Sequence, residues 1–316
     1  MIILCTKFKQ KRFHIYPFLS VISIYIFIAI GYTAKRIYKN QIDQRTLILL
    51  SIYFFQPMLT FWGLTRSPIN YDLIMAPIAY FSIVLLTMVV LIIVSNQIFT
   101  DQKEKSIAIA ASLIGNTGNL GIPLGISVFG ESSIAFTSII NIANVFFIYT
   151  IGIYFYARSN YTVKESLIQM AKIPIIWTAV LALLFNYSGL KIPNQLDKIL
   201  EMGSYTTIVT QLVIFGIYLH ELNLKEIDKK FSLTVSSFKL ILLPIVGFIV
   251  LGAFDFNPQT KAILLLQLML PLAVNNVNIA ALYDCKPITT AGVIVVSSVF
   301  FLFLLYFDLA IVQRFF

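Results

Sequence analysis

Eleven consecutive residues concentrate the chain's chemistry: Gly115-Asn116-Thr117-Gly118-Asn119-Leu120-Gly121-Ile122-Pro123-Leu124-Gly125. Four glycines, two asparagines, a threonine and a proline interrupt an otherwise apolar stretch. Proline lacks a backbone donor and crowds the preceding turn. Glycine makes a helix cheap to unwind. In a bilayer, freed N–H and C=O groups are tolerated only inside protein or along a wet cavity. The segment is therefore expected to be a broken helix. Its opened amides, and the positive end of a half-helix, can hold a carboxylate without Arg or Lys. Its opened carbonyls can hold a cation. A plainer reading is that Gly115, Gly118, Gly121 and Gly125 form a small-residue packing face. Packing accounts for the glycines but not for Asn116, Asn119 and Pro123 among them.

A second segment repeats the logic. Leu270-Pro271-Leu272-Ala273-Val274 is followed by Asn275, Asn276 and Asn278. Polar side chains in a span are expensive unless they face partners or water. The alternative is inter-helix hydrogen bonding at about 0.6–2 kcal/mol per bond. Asn141 and Asn144 are expected to be packing or supporting groups. Gln56-Pro57 marks a kink, with or without a cavity beside it. Asp308 is expected near the outer interface within reach of water, and Glu131 as a solvated charge after the Gly130 turn. His14 and His220 read as interfacial residues. Cys5 and Cys285 are too far apart to suggest a disulfide framework or metal site.

The chain has no His-Glu-x-x-His, Gly-x-Ser-x-Gly, Walker-type loop or paired intramembrane aspartates. An ATP-driven pump or intramembrane protease has no motif to support it. The expected protein is not an enzyme and carries no cofactor and no metal. Sodium held by freed carbonyls and a proton carried with the substrate both stay open as coupling ions.

These residues must be positioned by membrane helices. Of 316 residues, 59% are apolar and 12% charged, with mean hydropathy +0.87. Soluble domains carry roughly 25% charge. Runs of about 20 apolar residues suffice to span a bilayer. Such runs predict spans at 15–34, 46–64, 73–98, 106–129, 132–157, 171–189, 203–220, 235–254, 259–284 and 288–313. The expected class is an all-α polytopic membrane protein of about ten transmembrane helices, with broken crossover helices in spans 4 and 9. The net charge of +9 fits basic cytoplasmic loops rather than nucleic acid. With both termini outside, the inner loops hold fourteen Lys and Arg and the outer segments five. Lys39, Lys103, Lys229, Lys239 and Lys286 are among the inner ones. The tail Lys7-Lys9-Lys11-Arg12 opposes this; nine spans with the N-terminus inside is the fallback. The expected location is the plasma or inner membrane.

A polar connector at 158–170 separates residues 1–157 from 171–316, with five spans on each side. Pro17 and Gly31 in span 1 correspond to Pro174 and Gly189 in span 6. Ile122-Pro123-Leu124-Gly125-Ile126 corresponds to the Pro271 segment. Five spans per half is odd, so the halves are expected to be inverted repeats.

The span 4 motif, with Gly31-Tyr32, Gln56-Pro57-Met58-Leu59 and the span 9 proline, resembles the auxin efflux carrier family. That family includes plant PIN and PIN-like carriers and bacterial malate-type permeases. The resemblance implies ten helices in two inverted repeats, with spans 4 and 9 crossing at their prolines. It implies a scaffold of spans 1, 2, 6 and 7, and a mobile domain of spans 3–5 and 8–10. It further implies elevator-like movement, a small carboxylate substrate and outside termini. The crossover maps onto Asn116, Asn119, Pro123, Pro271 and Asn275. The long hydrophilic loop of plant carriers is absent. Span 7 reads Thr206-Thr207-Ile208 where many members have proline. A short microbial permease fits better than an auxin carrier. The expected partners are a small organic acid, the bilayer, a coupling ion (Na⁺ or H⁺) and a second copy in a homodimer. A sodium-coupled symporter of bile-acid-type architecture and a non-transporting receptor are the alternatives.

Overall fold

The computed structural model describes residues 25–65, 69–157, 164, 174–221, 223, 225 and 227–312. The basic tail, Cys5, His14, Pro17 and, apart from Lys164, the connector at 158–170 lie outside the described residues. Only helices, turns and one isolated antiparallel bridge occur among the described residues. In chain order the helices are α1 (25–38), α2 (Gln44–Thr65), α3 (Tyr71–Ile98), α4 (Gln102–Leu113), α5 (Thr117–Phe129) and α6 (Ser133–Ala157). They continue with α7 (Pro174–Tyr187), α8 (Asn194–Glu221), α9 (Lys229–Leu251), α10 (Pro258–Met269), α11 (Asn275–Leu282) and α12 (Pro287–Val312).

Six of these, α2, α3, α6, α8, α9 and α12, are long and apolar enough to cross a membrane. At about 1.5 Å per residue, the 28 residues of α3 exceed the roughly 30 Å hydrocarbon core. By contrast α4 and α10 have 12 residues each, little more than half that depth. Their starts are fixed by side-chain caps. Asp101 accepts from the Glu104 N–H and Asn257 from the Thr260 N–H, both at 2.9 Å. Each satisfies a donor the first turn would leave orphaned.

Two sets of contacts gather the helix ends. At one end of the molecule, Lys35 in the last turn of α1 pairs with Glu221 of α8 at 2.9 Å, and Gln44 of α2 donates to the same carboxylate. Lys286, before α12, binds Asp101 at 3.1 Å and Glu104 at 2.7 Å at the start of α4. At the other end, Asp72 of α3 accepts from the Asn257 amide and, at 2.8 Å, from the Thr260 hydroxyl. Asn186 of α7 donates to the Leu64 carbonyl of α2 at 2.6 Å. So α4 and α10 enter from opposite ends, and each stops inside the fold.

Elsewhere helices pack through close backbone approach. A Cβ on Gly216 of α8 would lie 1.9 Å from the Ile28 carbonyl oxygen, and one on Gly31 of α1 2.0 Å from that of Val213.

The structure corrects two placements. Lys239 is not in a loop: α9 begins at Lys229 and places Lys239, itself fully buried, midway along a helix long enough to cross a membrane. Asp308 does not reach water. It is 6% exposed and borders an apolar groove with Pro244 and Phe248 of α9 and Leu265 of α10.

Candidate functional site

The two interruptions meet. Residues 114–116 separate α4 from α5, and 270–274 separate α10 from α11. They lie antiparallel, with Gly115 opposite Leu272. The Asn116 N–H donates to the Pro271 carbonyl at 2.9 Å, and the Ala273 N–H to the Ile114 carbonyl at 3.0 Å. The backbone groups freed by each break are thus partly satisfied by the other break, as the low-dielectric interior demands.

Side chains add further partners. Asn144 of α6 donates to the Gly115 carbonyl and to the Thr117 hydroxyl, both at 2.9 Å. Thr117 donates to Asn141 at 2.9 Å, and the Tyr80 hydroxyl to Asn144 at 3.3 Å. Asn276 donates to the Ala273 carbonyl at 2.9 Å and the Ile114 carbonyl at 3.3 Å, and accepts from Tyr156 at 3.0 Å. Past the break, α5 opens with a wide turn in which the Gly121 N–H reaches the Asn116 carbonyl at 3.0 Å.

A cavity of about 120 Å³ lies against the crossing. That is roughly four waters at about 30 Å³ each, a volume for a ligand of few heavy atoms. One wall comes from the crossing: Gly115, Asn116, Gly118, Asn119, Ala273, Val274 and Asn275. Asn141 and Asn144 extend it from α6. The opposite wall comes from α2 and α8, with Ser51, Gln56 and Gln211. The Ser51 hydroxyl and the Gln211 carbonyl oxygen are buried without a hydrogen-bond partner among the described residues. Buried polar atoms ordinarily have partners, so this wall suits an occupant that supplies them. Among the described residues the lining carries no formal charge.

The geometry sorts the sequence candidates. Gly115, Asn116, Gly118, Asn119 and Asn275 line the cavity. Asn276 does not: it is fully buried and braces the two breaks. Pro271 sits at the crossing but borders a smaller void beside Tyr25 and Ser298. Pro123 is not at the crossing. It lies in α5 beyond the break, where its missing N–H deprives the Asn119 carbonyl of its helical donor. Gly121 and Gly125 are packing positions, since a Cβ there would lie 2.2 Å from the Gln267 side-chain oxygen and 2.7 Å from the Thr137 methyl. The side chain of Asn278 lies outside the described residues.

Ser51, Gln211 and Lys239 escaped the sequence reading. A lone glutamine in the apolar stretch of α8 was a usable signal for Gln211. Lys239, followed by Leu240-Ile241-Leu242-Leu243, was a usable signal for an intramembrane cation. Ser51 offered none.

Comparison with known proteins follows the same line. A family model described as membrane transport protein matches residues 16–307. A curated relative from Methanocaldococcus jannaschii, described as an uncharacterized transporter, is 24% identical over 294 residues, spanning 90% of this chain and 95% of the relative. With the match running over most of its length, the chain belongs to the membrane transport protein family of auxin efflux carriers.

Proposed function

We propose that this protein is a secondary carrier of a small organic anion, a carboxylate of few carbons, bound at the crossing. The observation that carries this reading is a small, uncharged cavity with an apolar floor that includes Ile48, Ile148 and Ile214, onto which the first turn of α5, the start of α11 and several amide side chains open. Each helix N-terminus carries about half a positive charge, although the Asn276 and Val277 N–H groups of α11 already turn back to the Ala273 and Val274 carbonyls. Asn116 caps α5 without a side-chain hydrogen bond. Asn116, Asn119 and Asn275 add side-chain donors around the same space. An anion gains charge-assisted hydrogen bonds there without a salt bridge.

The equal lengths of α4 and α10, and their entry from opposite ends, support a ten-span architecture of two inverted five-span repeats, 1–157 and 171–316. The cavity lies between the α2, α7, α8 wall and the crossing. That arrangement suits an elevator movement of the crossing against a scaffold. Lys35, Arg36, Lys103, Lys105 and Lys286 share one end, which supports reading it as the cytoplasmic end of a plasma-membrane protein with both termini outside.

The test is uptake of labelled malate into proteoliposomes, wild type against Asn116→Ala. Lower flux in the variant at equal reconstitution supports the site, and equal flux removes Asn116 from it. No flux of any small carboxylate in the wild type sinks the substrate class.

A further inference from the structure

We propose that the ammonium of Lys239 is a tethered countercharge for the crossing, standing where a sodium-coupled carrier would need a bound cation. This deepens the carrier reading above and rests on it.

Three observations converge. First, Lys239 lies midway along α9, is fully buried, and its Nζ has no hydrogen-bond partner among the described residues. An uncompensated ammonium at mid-membrane is among the most expensive side chains to bury. With no exposed surface and no path to a span end, it cannot relieve that penalty by reaching water. Secondly, its position is specific. A Cβ on Gly115 would lie 2.7 Å from Nζ and 3.2 Å from Cε, so the ammonium rests on the backbone of the first break. It does not line the main cavity, to which the same glycine contributes, so it meets the break away from that cavity. Thirdly, the middle of α9 packs against α4, α10 and α12. Both α4 and α10 end at the crossing, and helix C-termini each carry about half a negative charge.

Two such ends sum to about one negative charge, and one ammonium balances them. The crossing is thereby polarised: N-terminal ends and asparagine amides face the cavity, while C-terminal ends are met from behind by Lys239. Opened carbonyls at a broken helix are a natural cation site. Here the cation is covalently part of the chain, and a mobile sodium ion is redundant. The small residue at position 115 follows from the same contact, since any side chain there meets the lysine.

The experiment uses the purified full-length protein in detergent. Binding of ²²Na⁺ is measured by scintillation proximity, and thermal stability is compared in sodium chloride and choline chloride. The proposal expects no saturable ²²Na⁺ binding to wild type and a midpoint that is the same in both salts. Lys239→Met is expected to melt several degrees lower. Lys239→Arg, which keeps the charge, recovers most of that loss. Lys239→Ala is expected to gain stability in sodium over choline. Saturable sodium binding by the wild type overturns the proposal, as does a Lys239→Met protein as stable as wild type. If the uncharged variants fail to fold, the wild-type sodium measurement still decides. A panel of small organic acids in the same thermal assay separates the two ideas, because its failure removes the substrate class and leaves the sodium result standing.

Discussion

The side-chain amide of Asn144 donates at 2.9 Å to the carbonyl of Gly115, tying the middle of α6 to the break between α4 and α5. The same nitrogen reaches the Thr117 hydroxyl. One side chain therefore holds the middle of the interruption and the first residue of α5, and the cavity keeps its shape because α6 is continuous past it.

Replacing Asn144 by leucine is expected to strand the Gly115 carbonyl in a buried site. An unsatisfied buried group costs about 1–3 kcal/mol. The midpoint in a thermal scan in detergent should fall accordingly, and Thr117→Val should fall less because Asn144 keeps its bond to Gly115. An unchanged midpoint for Asn144→Leu contradicts the bracing role.

Asn119 and Asn275 line the cavity, and neither is fully buried. Asn119→Ala and Asn275→Ala are expected to fold normally and to bind a small carboxylate more weakly. A hydrogen bond to a charged group is worth about 1.5–3 kcal/mol, which is about ten- to a hundredfold in affinity. Asn276→Ala is expected to differ in kind, with a large loss of stability. Titration of the acid by thermal shift separates the two behaviours, and equal effects from all three contradict the sorting.

Gly216→Ala tests the approach of α1 to α8. Its Cβ would sit 1.9 Å from the Ile28 carbonyl oxygen, and backbone cannot swing aside as a side chain can. Overpacking of this kind costs about 1–3 kcal/mol. The expected result is a lower midpoint than Gly189→Ala gives by crowding, since nothing lies near a Cβ there. The strain of a left-handed φ of +70° at Gly189 is a separate penalty, so Gly252→Ala, in the right-handed region and with its nearest neighbour, the Ile249 carbonyl oxygen, at 3.2 Å rather than 1.9 Å, serves as the second control.

The cluster outside the spans gives a pH prediction. The Glu104 N–H, then Lys286, holds the Asp101 carboxyl below its ordinary value near 3.8. Burial pushes the Lys286 ammonium down, but its bonds to Glu104 and Asp101 outweigh that and hold it above its ordinary value near 10.5. Asp101's depressed value means its contribution is present above the ordinary value and lost as pH falls through the folded one. Lys286's raised value means its contribution is present below the ordinary value and lost as pH rises through the folded one. The tie between α4 and the α12 entry is therefore constant from about pH 5 to 9. Both groups are largely solvated, so the pair contributes about 0–1 kcal/mol. Melting Lys286→Met against wild type should show a small, salt-screened difference that is flat across that range.

Much of this protein is legible in its residues. Apolar runs marked the six helices long and apolar enough to cross a membrane, because a bilayer accepts little else. Glycine, proline and asparagine inside two of those runs marked both breaks, because only there can a buried backbone be opened and repaired. The start of α9 was misjudged because Lys229 and Lys230 look like loop residues, although Asp228 caps a helix there.

What only the tertiary structure decided is direction. Asn275 and Asn276 are neighbours in the chain, yet about 100° apart around a helix of 3.6 residues per turn. One lines the cavity and the other braces the break. Lys239 offers the same lesson in charge: sequence shows a lysine near a basic loop, while packing against Gly115 makes it part of the crossing. The residue list sets which groups are available. Which of them face each other follows from how α4 and α10 meet, and that depends on contacts between parts of the chain about 150 residues apart, as in the bridge between Gly115 and Leu272.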